Sequence, residues 1–344
     1  MASILVGSSA RLHLGFYNFY EDGIAYGGLG VAIEAPEICV RVFKSDKTVV
    51  LNRTDVDVGD AVDAVRRGLG VEGFGVEILK AIPRHVGLGS TTQTVLSIGY
   101  GVSKLYGLGY TVRELAYRLG RGRDSGIGIA AFEFGGFIVD SGRVARNGFV
   151  EPPKSVGDLP QIIFRHGVPR DWYFILFIPR GVRGLDEKSE RGAMDRPEPL
   201  PPEIQKELYK LVLLHIIPSV VAGDVERFGK ALTKLQFIVG GYFSKFQKGV
   251  FCCEESEYIV NSLLKHGACG AGQSSWGPTV YGVVKGRRKA LNILARVLRD
   301  IDSKGFEVDY HVVRARNKGA SATVSQVYEA GDAHRQVSFS SSQT

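Results

Sequence analysis

The stretch of this 344-residue chain with the clearest chemical potential is Pro83-Arg84-His85-Val86-Gly87-Leu88-Gly89-Ser90-Thr91-Thr92-Gln93. Glycines let a backbone approach an anion closely, and a helix starting after them offers free N–H groups and a favourable dipole. Ser90, Thr91 and Thr92 add hydroxyl donors. The pattern suits the phosphates of a small molecule, although no Gly-Lys-Ser/Thr of the Walker type follows. Such a loop also serves merely to cap a helix, and these residues alone leave both readings open. Further on, Gln273, Ser274, Ser275 and Trp276 stand in a Gly-rich turn, an aromatic ring among hydroxyl and amide donors.

The elements that must position these groups follow from periodicity. Ile4-Leu5-Val6, Leu12-His13-Leu14, Val31-Ala32-Ile33 and Ile38–Val42 read as strands, with His13 alternating between apolar neighbours. Residues 57–69 form an amphipathic helix, and Phe74–Ile82 is the strand that runs into Pro83. Ser90–Tyr106 reads as a helix with a capping-box spacing at Ser90 and Gln93, a device repeated at Thr111 and Glu114. Gly135–Gly142 is a strand entering a tight turn, with Asp140-Ser141-Gly142 as that turn. Strands at 161–165 and 172–178 precede a polar, four-proline segment, Arg180–Pro202, expected to be a long loop. Helices follow near 202–217, 224–238, 254–266 and 286–302, with strands near 279–284 and 306–314. Mixed elements without strict βαβ alternation imply an α+β architecture in two halves, which the chain length also favours.

Composition narrows the function. Hydrophobic residues are 44% and charged residues 23%, the balance of a globular protein, and no run of apolar residues is long enough to span a membrane. The N-terminus has no basic leader and reads as a strand. Cys39, Cys252, Cys253 and Cys269 match neither a zinc site nor a disulfide framework, which fits free thiols in a reducing cytoplasm. The net charge of +7 comes from scattered residues; it attracts polyanionic small molecules and argues against nucleic acid as partner.

Pro-x-x-x-Gly-Leu-Gly-Ser resembles the central motif of the GHMP kinases, whose loop wraps nucleotide phosphates. Ser9-Ala-Arg-Leu-His-Leu-Gly15 is similar to that superfamily's N-terminal strand motif, and Gly267–Gly277 to its C-terminal Gly-rich motif. The resemblance implies a ribosomal-protein-like N-terminal domain at 1–168, a ferredoxin-like C-terminal domain at 169–334 and a flexible tail at 335–344. Many of these kinases carry Ser-Gly-Ile-Asp, whose aspartate takes the acceptor's proton. Here the stretch is Ser125-Gly126-Ile127-Gly128, and glycine accepts no proton.

A non-kinase family of this superfamily matches further. Arg121-Gly-Arg-Asp-Ser-Gly-Ile-Gly-Ile129, Phe132–Asp140, Gly167–Trp172 and Gly270-Ala-Gly-Gln-Ser-Ser-Trp-Gly-Pro-Thr-Val-Tyr-Gly282 resemble the archaeal β-ribofuranosylaminobenzene 5′-phosphate synthases of methanopterin-type cofactor biosynthesis. The resemblance implies that phosphoribosyl pyrophosphate reacts with 4-hydroxybenzoate or 4-aminobenzoate, releasing carbon dioxide and pyrophosphate. It implies Gly87, Leu88, Gly89, Ser90, Thr91, Thr92, Gln93 and Arg121 as phosphate-binding residues and Gln273, Ser274, Ser275 and Trp276 around the arene. Arg11, His13, Arg123, Ser125 and Glu190 are the implied catalytic residues. Mg²⁺ is expected with the pyrophosphate and ATP is not; a homodimer is suggested by analogy with the fold. The alternatives are an ATP-dependent kinase using Asp124 and a phosphometabolite-binding protein without turnover.

Overall fold

The structure, a computed structural model, describes residues 2–184, 187–247 and 249–326, with no side chain described at 187, 188, 190, 325 and 326. The chain opens with β1 (Ala2–Phe16), the short β2 (Ile24–Ala25) and β3 (Gly28–Phe43). β4 (Val49–Asn52), α1 (Gly59–Leu69) and β5 (Gly75–Lys80) lead through the Gly-rich loop to α2 (Ser90–Tyr106). Two short helices, α3 (Val112–Arg118) and α4 (Ile127–Glu133), precede β6 (Phe137–Asp140), β7 (Arg143–Arg146), β8 (Phe149–Val150) and β9 (Ile162–His166). Then come β10 (Trp172–Pro179), α5 (Glu187–Met194), α6 (Pro202–Lys210), α7 (Ile217–Ala222), α8 (Val225–Phe243) and α9 (Glu254–Lys265). β11 (Gly270–Gln273), β12 (Val280–Lys285), α10 (Arg287–Lys304), β13 (Val308–Val313) and β14 (Ser321–Gln326) complete the described chain.

Seven strands form the first sheet, in the order β14-β1-β3-β5-β4, with β6 also on β3 and β9 on β6. β3 is long enough to serve two neighbours. Cys39–Phe43 pairs with β5, and Leu29–Val31 pairs with β6. The β1–β3 register shifts between Ser9 and Arg11 and again between His13 and Gly15. Such bulges re-aim side chains, and here they flank Arg11 and His13. α2 lies against β1 and β3, burying Val95, Leu96, Ile98 and Val102. Each buried side chain of that size contributes roughly 1.5–3 kcal/mol. Gly101 permits the approach, because a Cβ there would lie 2.6 Å from Val42 Cγ2. The second sheet, β11-β12-β10-β13, is antiparallel and covered by α8, α9 and α10. One core runs through both halves, with Trp172 of β10 packed on Phe228 of α8 at 5.0 Å.

Most elements fall where periodicity put them, and the Thr111–Glu114 capping box is present. Three local expectations are corrected. Arg180–Pro202 is not all loop: it contains α5, which buries Ala193 and Met194. The helix expected at 202–217 passes through a π turn, Leu211–Ile216, ahead of Pro218 and continues to Ala222. Ser90 does not cap α2, since the N-cap is Gly89. β14 rejoins the first sheet beside β1, so the chain crosses back after β13. Residues 335–344 lie outside the described chain. No helix among the described residues is long and apolar enough to cross a membrane.

Candidate active site

Two Gly-rich segments from opposite halves are tied directly together. The Ser274 hydroxyl donates to Gly87 O at 2.7 Å and accepts from His13 N at 3.0 Å. Arg11 Nη1 donates to the same Gly87 oxygen at 2.7 Å, and Ser275 N donates to His13 O at 3.2 Å. Gly87 must be glycine. Its φ is +80°, and a Cβ would lie 2.2 Å from Ser274 O. The loop is therefore clamped by β1 on one side and the 274–279 turn on the other.

This clamp leaves the start of α2 open. Gly89, at φ +77°, has no side chain to cap the helix, so the N–H groups of the first turn face a cavity together with the helix dipole. The cavity is about 890 Å³ including its mouth. Gly87, Leu88, Gly89, Ser90, Thr91 and Thr92 form one wall. Arg11 and Arg121 join it, Arg121 Nε donating to Thr92 Oγ1 at 3.3 Å. His13, Phe16, Ser275 and Trp276 line the same cavity. An anion cradle and an aromatic surface thus share one cavity.

His13 is buried, and burial together with the Arg11 charge lowers its pKa to about 3. The ring is neutral at ordinary pH. Its Nδ1 accepts from Gly15 N at 3.3 Å, which assigns the proton to Nε2. Nε2 has no hydrogen-bond partner in the protein. An uncharged imidazole therefore lines the cavity, with its Nε2 buried on the Gly28 side.

Asp124 also lines the cavity, 3.9 Å from Arg191 Nε of α5. Behind it stands Arg143, almost fully buried; burial lowers its pKa to about 10, against the opposing pull of Asp124. Arg123 is not on the cavity wall, and its guanidinium lies 3.8 Å from Asp195. These pairs bind α5, whose Met194 faces the cavity, to the 121–126 loop.

Gly128 stands in the second position of α4, where the kinase motif has aspartate. A Cβ there would lie 3.2 Å from Thr92 Cγ2, and the Gly128 carbonyl accepts from Gln93 Nε2 at 2.8 Å. α4 and α2 meet tightly at this point.

The structure brings Arg11, His13, residues 87–92, Arg121, Ser125, Ser275 and Trp276 to one cavity. Gln93, Gln273 and Ser274 are not on its wall. They are buried ties: Gln93 to Gly128, Ser274 to the loop, and Gln273 Nε2 to Ser275 O with its Oε1 accepting from Cys252 N. The side chain of Glu190 lies outside the described residues.

The residue that sequence reasoning missed is Asp140, taken there for a turn. Its buried carboxylate accepts from Gly28 N (2.9 Å), Gly142 N (3.0 Å), Gly126 N (2.9 Å) and Ser125 Oγ (3.3 Å). Burial pushes its pKa up while the four bonds hold the anion. Asp140 fixes Ser125 and the start of α4 beside the cavity. Asp124, the base of the kinase alternative, lines the cavity; Phe16 and Met194 are further lining residues that local patterns did not single out.

Comparison with known proteins agrees with this geometry. Residues 57–136 match the GHMP kinases N terminal domain, and residues 216–301 match the GHMP kinases C terminal family. A β-ribofuranosylphenol 5′-phosphate synthase of Methanothermobacter thermautotrophicus is 32% identical over 333 residues, covering 92% of this chain and 98% of its own. The Archaeoglobus fulgidus protein of the same name is 33% identical over 325 residues, with the same coverage. Among solved structures, a homoserine kinase from Cytophaga hutchinsonii superposes with a TM-score of 0.69 at 19% identity, over 93% of this chain and 97% of its own. Lactococcus lactis galactokinase gives 0.65 at 13%, over 93% and 95%. Those two likenesses speak for fold alone. The chain belongs to the β-ribofuranosylphenol 5′-phosphate synthases, a family of enzymes with the two-domain α+β fold of the GHMP kinases.

Proposed function

We propose that the protein condenses phosphoribosyl pyrophosphate with 4-hydroxybenzoate, forming a carbon-linked ribosyl-phenol phosphate with release of carbon dioxide and pyrophosphate, a step toward a methanopterin-type cofactor. The observation that carries this reading is the single cavity lined by both an anion cradle and an aromatic surface. The relatives' names point to a phenol product, which favours the hydroxybenzoate over 4-aminobenzoate.

The chemistry follows from the groups present. The amides opening α2, with Arg11 and Arg121, hold the donor's phosphates and oppose the charge that grows on departing pyrophosphate. The C–O bond to pyrophosphate breaks with its electron pair going to the leaving group. A ring π pair of the benzoate, at the carbon bearing the carboxylate, forms the new bond to the anomeric carbon. The C–COO⁻ pair then returns to the ring and carbon dioxide departs, so no base is needed to deprotonate an alcohol. Neutral His13 gives the carboxylate an uncharged ring to lie against, without the ion pair that would hold it back. Mg²⁺ fits this site as a partner of the diphosphate. Asp124, which also pairs with Arg191, is the carboxylate on the cavity wall that would face it, and no cluster of three metal-ligating side chains exists among the described residues. Bound there, the ion supplies charge neutralisation of the leaving group.

Incubation with phosphoribosyl pyrophosphate, Mg²⁺ and carboxyl-labelled 4-hydroxybenzoate is expected to release labelled carbon dioxide. Folded protein that releases none from either benzoate overturns the proposal. The presence of Asp124 in the cavity favours one other reading, phosphoryl transfer from ATP with Asp124 as base. Substrate-dependent ADP formation, lost in Asp124→Asn, would establish it.

A further inference from the structure

Beyond the main cavity lies a second, smaller one. It encloses about 420 Å³ including its mouth and shares His13, Phe16, Ser275 and Trp276 with the first. The two are compartments of one space, with those four residues at the junction. The second compartment is walled by Phe243 and Val239 of α8 and by Val250 and Phe251. Phe243 meets Trp276 edge-on at 4.6 Å, and Phe16 is 6.0 Å from Phe243. Gly240 makes the compartment: a Cβ there would lie 2.3 Å from Val250 O, so only glycine lets Val250 approach α8 this closely. Gln247 also lines it, its Nε2 donating to Val250 O at 2.8 Å. That bond fixes the amide and leaves Oε1 as the group that accepts.

We infer that this second compartment is the acceptor subsite, taking the ring of a para-substituted benzoate with its carboxylate end at the His13–Ser275 junction and its 4-substituent toward Gln247. The inference rests on the reaction proposed above. The reacting carbon must face the donor, which is held in the first compartment, so the opposite end of the ring points into the second. Gln236 and Gln273 also line the compartment, but each has both amide atoms bonded within the protein. A slot walled by aromatic and aliphatic side chains with the Gln247 Oε1 as acceptor therefore suits a single ring carrying a para O–H. The arrangement also bears on rate. When the ring attacks, positive charge develops on the carbon para to the new bond, the one bearing the hydroxyl. Its O–H then becomes a stronger donor, and an acceptor such as Gln247 Oε1 binds the transition state more tightly than the ground state. Gln247 is thus assigned the choice of para substituent.

The test reads binding directly. One of the two tryptophans, Trp276, lies at the junction, so 4-hydroxybenzoate added with or without pyrophosphate is expected to change its fluorescence saturably, and not in Trp276→Phe. Val239→Phe fills the slot and is expected to weaken 4-hydroxybenzoate at least about tenfold, with pyrophosphate affinity kept within about twofold. Gln247→Leu, which keeps the slot's volume, is expected to raise KM for 4-hydroxybenzoate about tenfold and lower kcat, with the KM for phosphoribosyl pyrophosphate unchanged. Absence of saturable binding in the wild type, or Val239→Phe and Gln247→Leu both behaving like it, overturns the subsite even where labelled carbon dioxide is released. Saturable binding lost in Val239→Phe without any carbon dioxide release keeps the subsite and discards the reaction.

Discussion

Replacing Gly128 by aspartate restores the side chain that related kinases carry, and the structure says what it would do here. The new Cβ would lie 3.2 Å from Thr92 Cγ2 and 3.6 Å from Thr92 Oγ1, directly behind the phosphate wall. Aspartate in a helix is only a few tenths of a kcal/mol better than glycine, and the tight Thr92 contact opposes that gain. Stability should shift by no more than about 1 kcal/mol. Binding is another matter. A carboxylate about 5 Å from a donor phosphate, at an effective dielectric of about 20, repels it by about 3 kcal/mol, or about two orders of magnitude. Gly128→Asn is the uncharged control of the same shape. Steady-state kinetics should give Gly128→Asp a kcat/KM for phosphoribosyl pyrophosphate about a hundredfold below that of Gly128→Asn, with similar melting temperatures. Equal kinetics of the two variants, within about threefold, would refute the placement of the donor against residues 87–92.

Three further outcomes follow from the site. Ser274→Ala strips the buried His13 N–H of its acceptor and Gly87 O of one donor; unfolding in urea should show a loss of about 2 kcal/mol, and kcat/KM should fall with it. Asp140→Asn turns an NH₂ group toward at least one backbone N–H among Gly28, Gly126 and Gly142; a loss of about 3 kcal/mol is expected, and wild-type stability in this variant would contradict the account of that carboxylate. His13 should make stability pH-dependent. Unfolded it binds a proton below 6.5, folded only below about 3, so stability should fall as pH drops through that window, by up to about 1.4 kcal/mol per unit for this one proton. Urea unfolding at pH 7 and pH 5.5 should show that slope, reduced in His13→Gln.

The chemistry of single segments was legible in the sequence; their use across the fold was less so. Gly87, Gly89 and residues 90–92 could be recognised because backbone freedom, hydroxyls and a helix start are local properties. Ser274 looked like a ligand for the same reason, but its oxygen is spent on Gly87, 187 residues away. Asp140 looked like a turn because its meaning lies in donors as distant as Gly28, 112 residues off. The segment around α5 is polar with prolines, so nothing in its periodicity betrayed a helix whose buried residues, among the described ones, are Ala193 and Met194. β14 carries too weak an alternation to announce itself, and its partner Ala2–Gly7 lies at the other end of the chain. The second compartment could not be read at all, since α8, Val250, Phe251 and Phe16 meet only in three dimensions.

The central claim is that a ring carbon displaces pyrophosphate and sheds its own carboxylate. Turnover with 4-hydroxybenzoate carrying ¹³C at the carboxyl-bearing ring carbon, followed by NMR of the product, tests it most directly. The account predicts that the label couples to the anomeric proton and that the carboxyl group is gone. A product that keeps its carboxylate, with the ribose attached through the 4-hydroxyl oxygen, would contradict it.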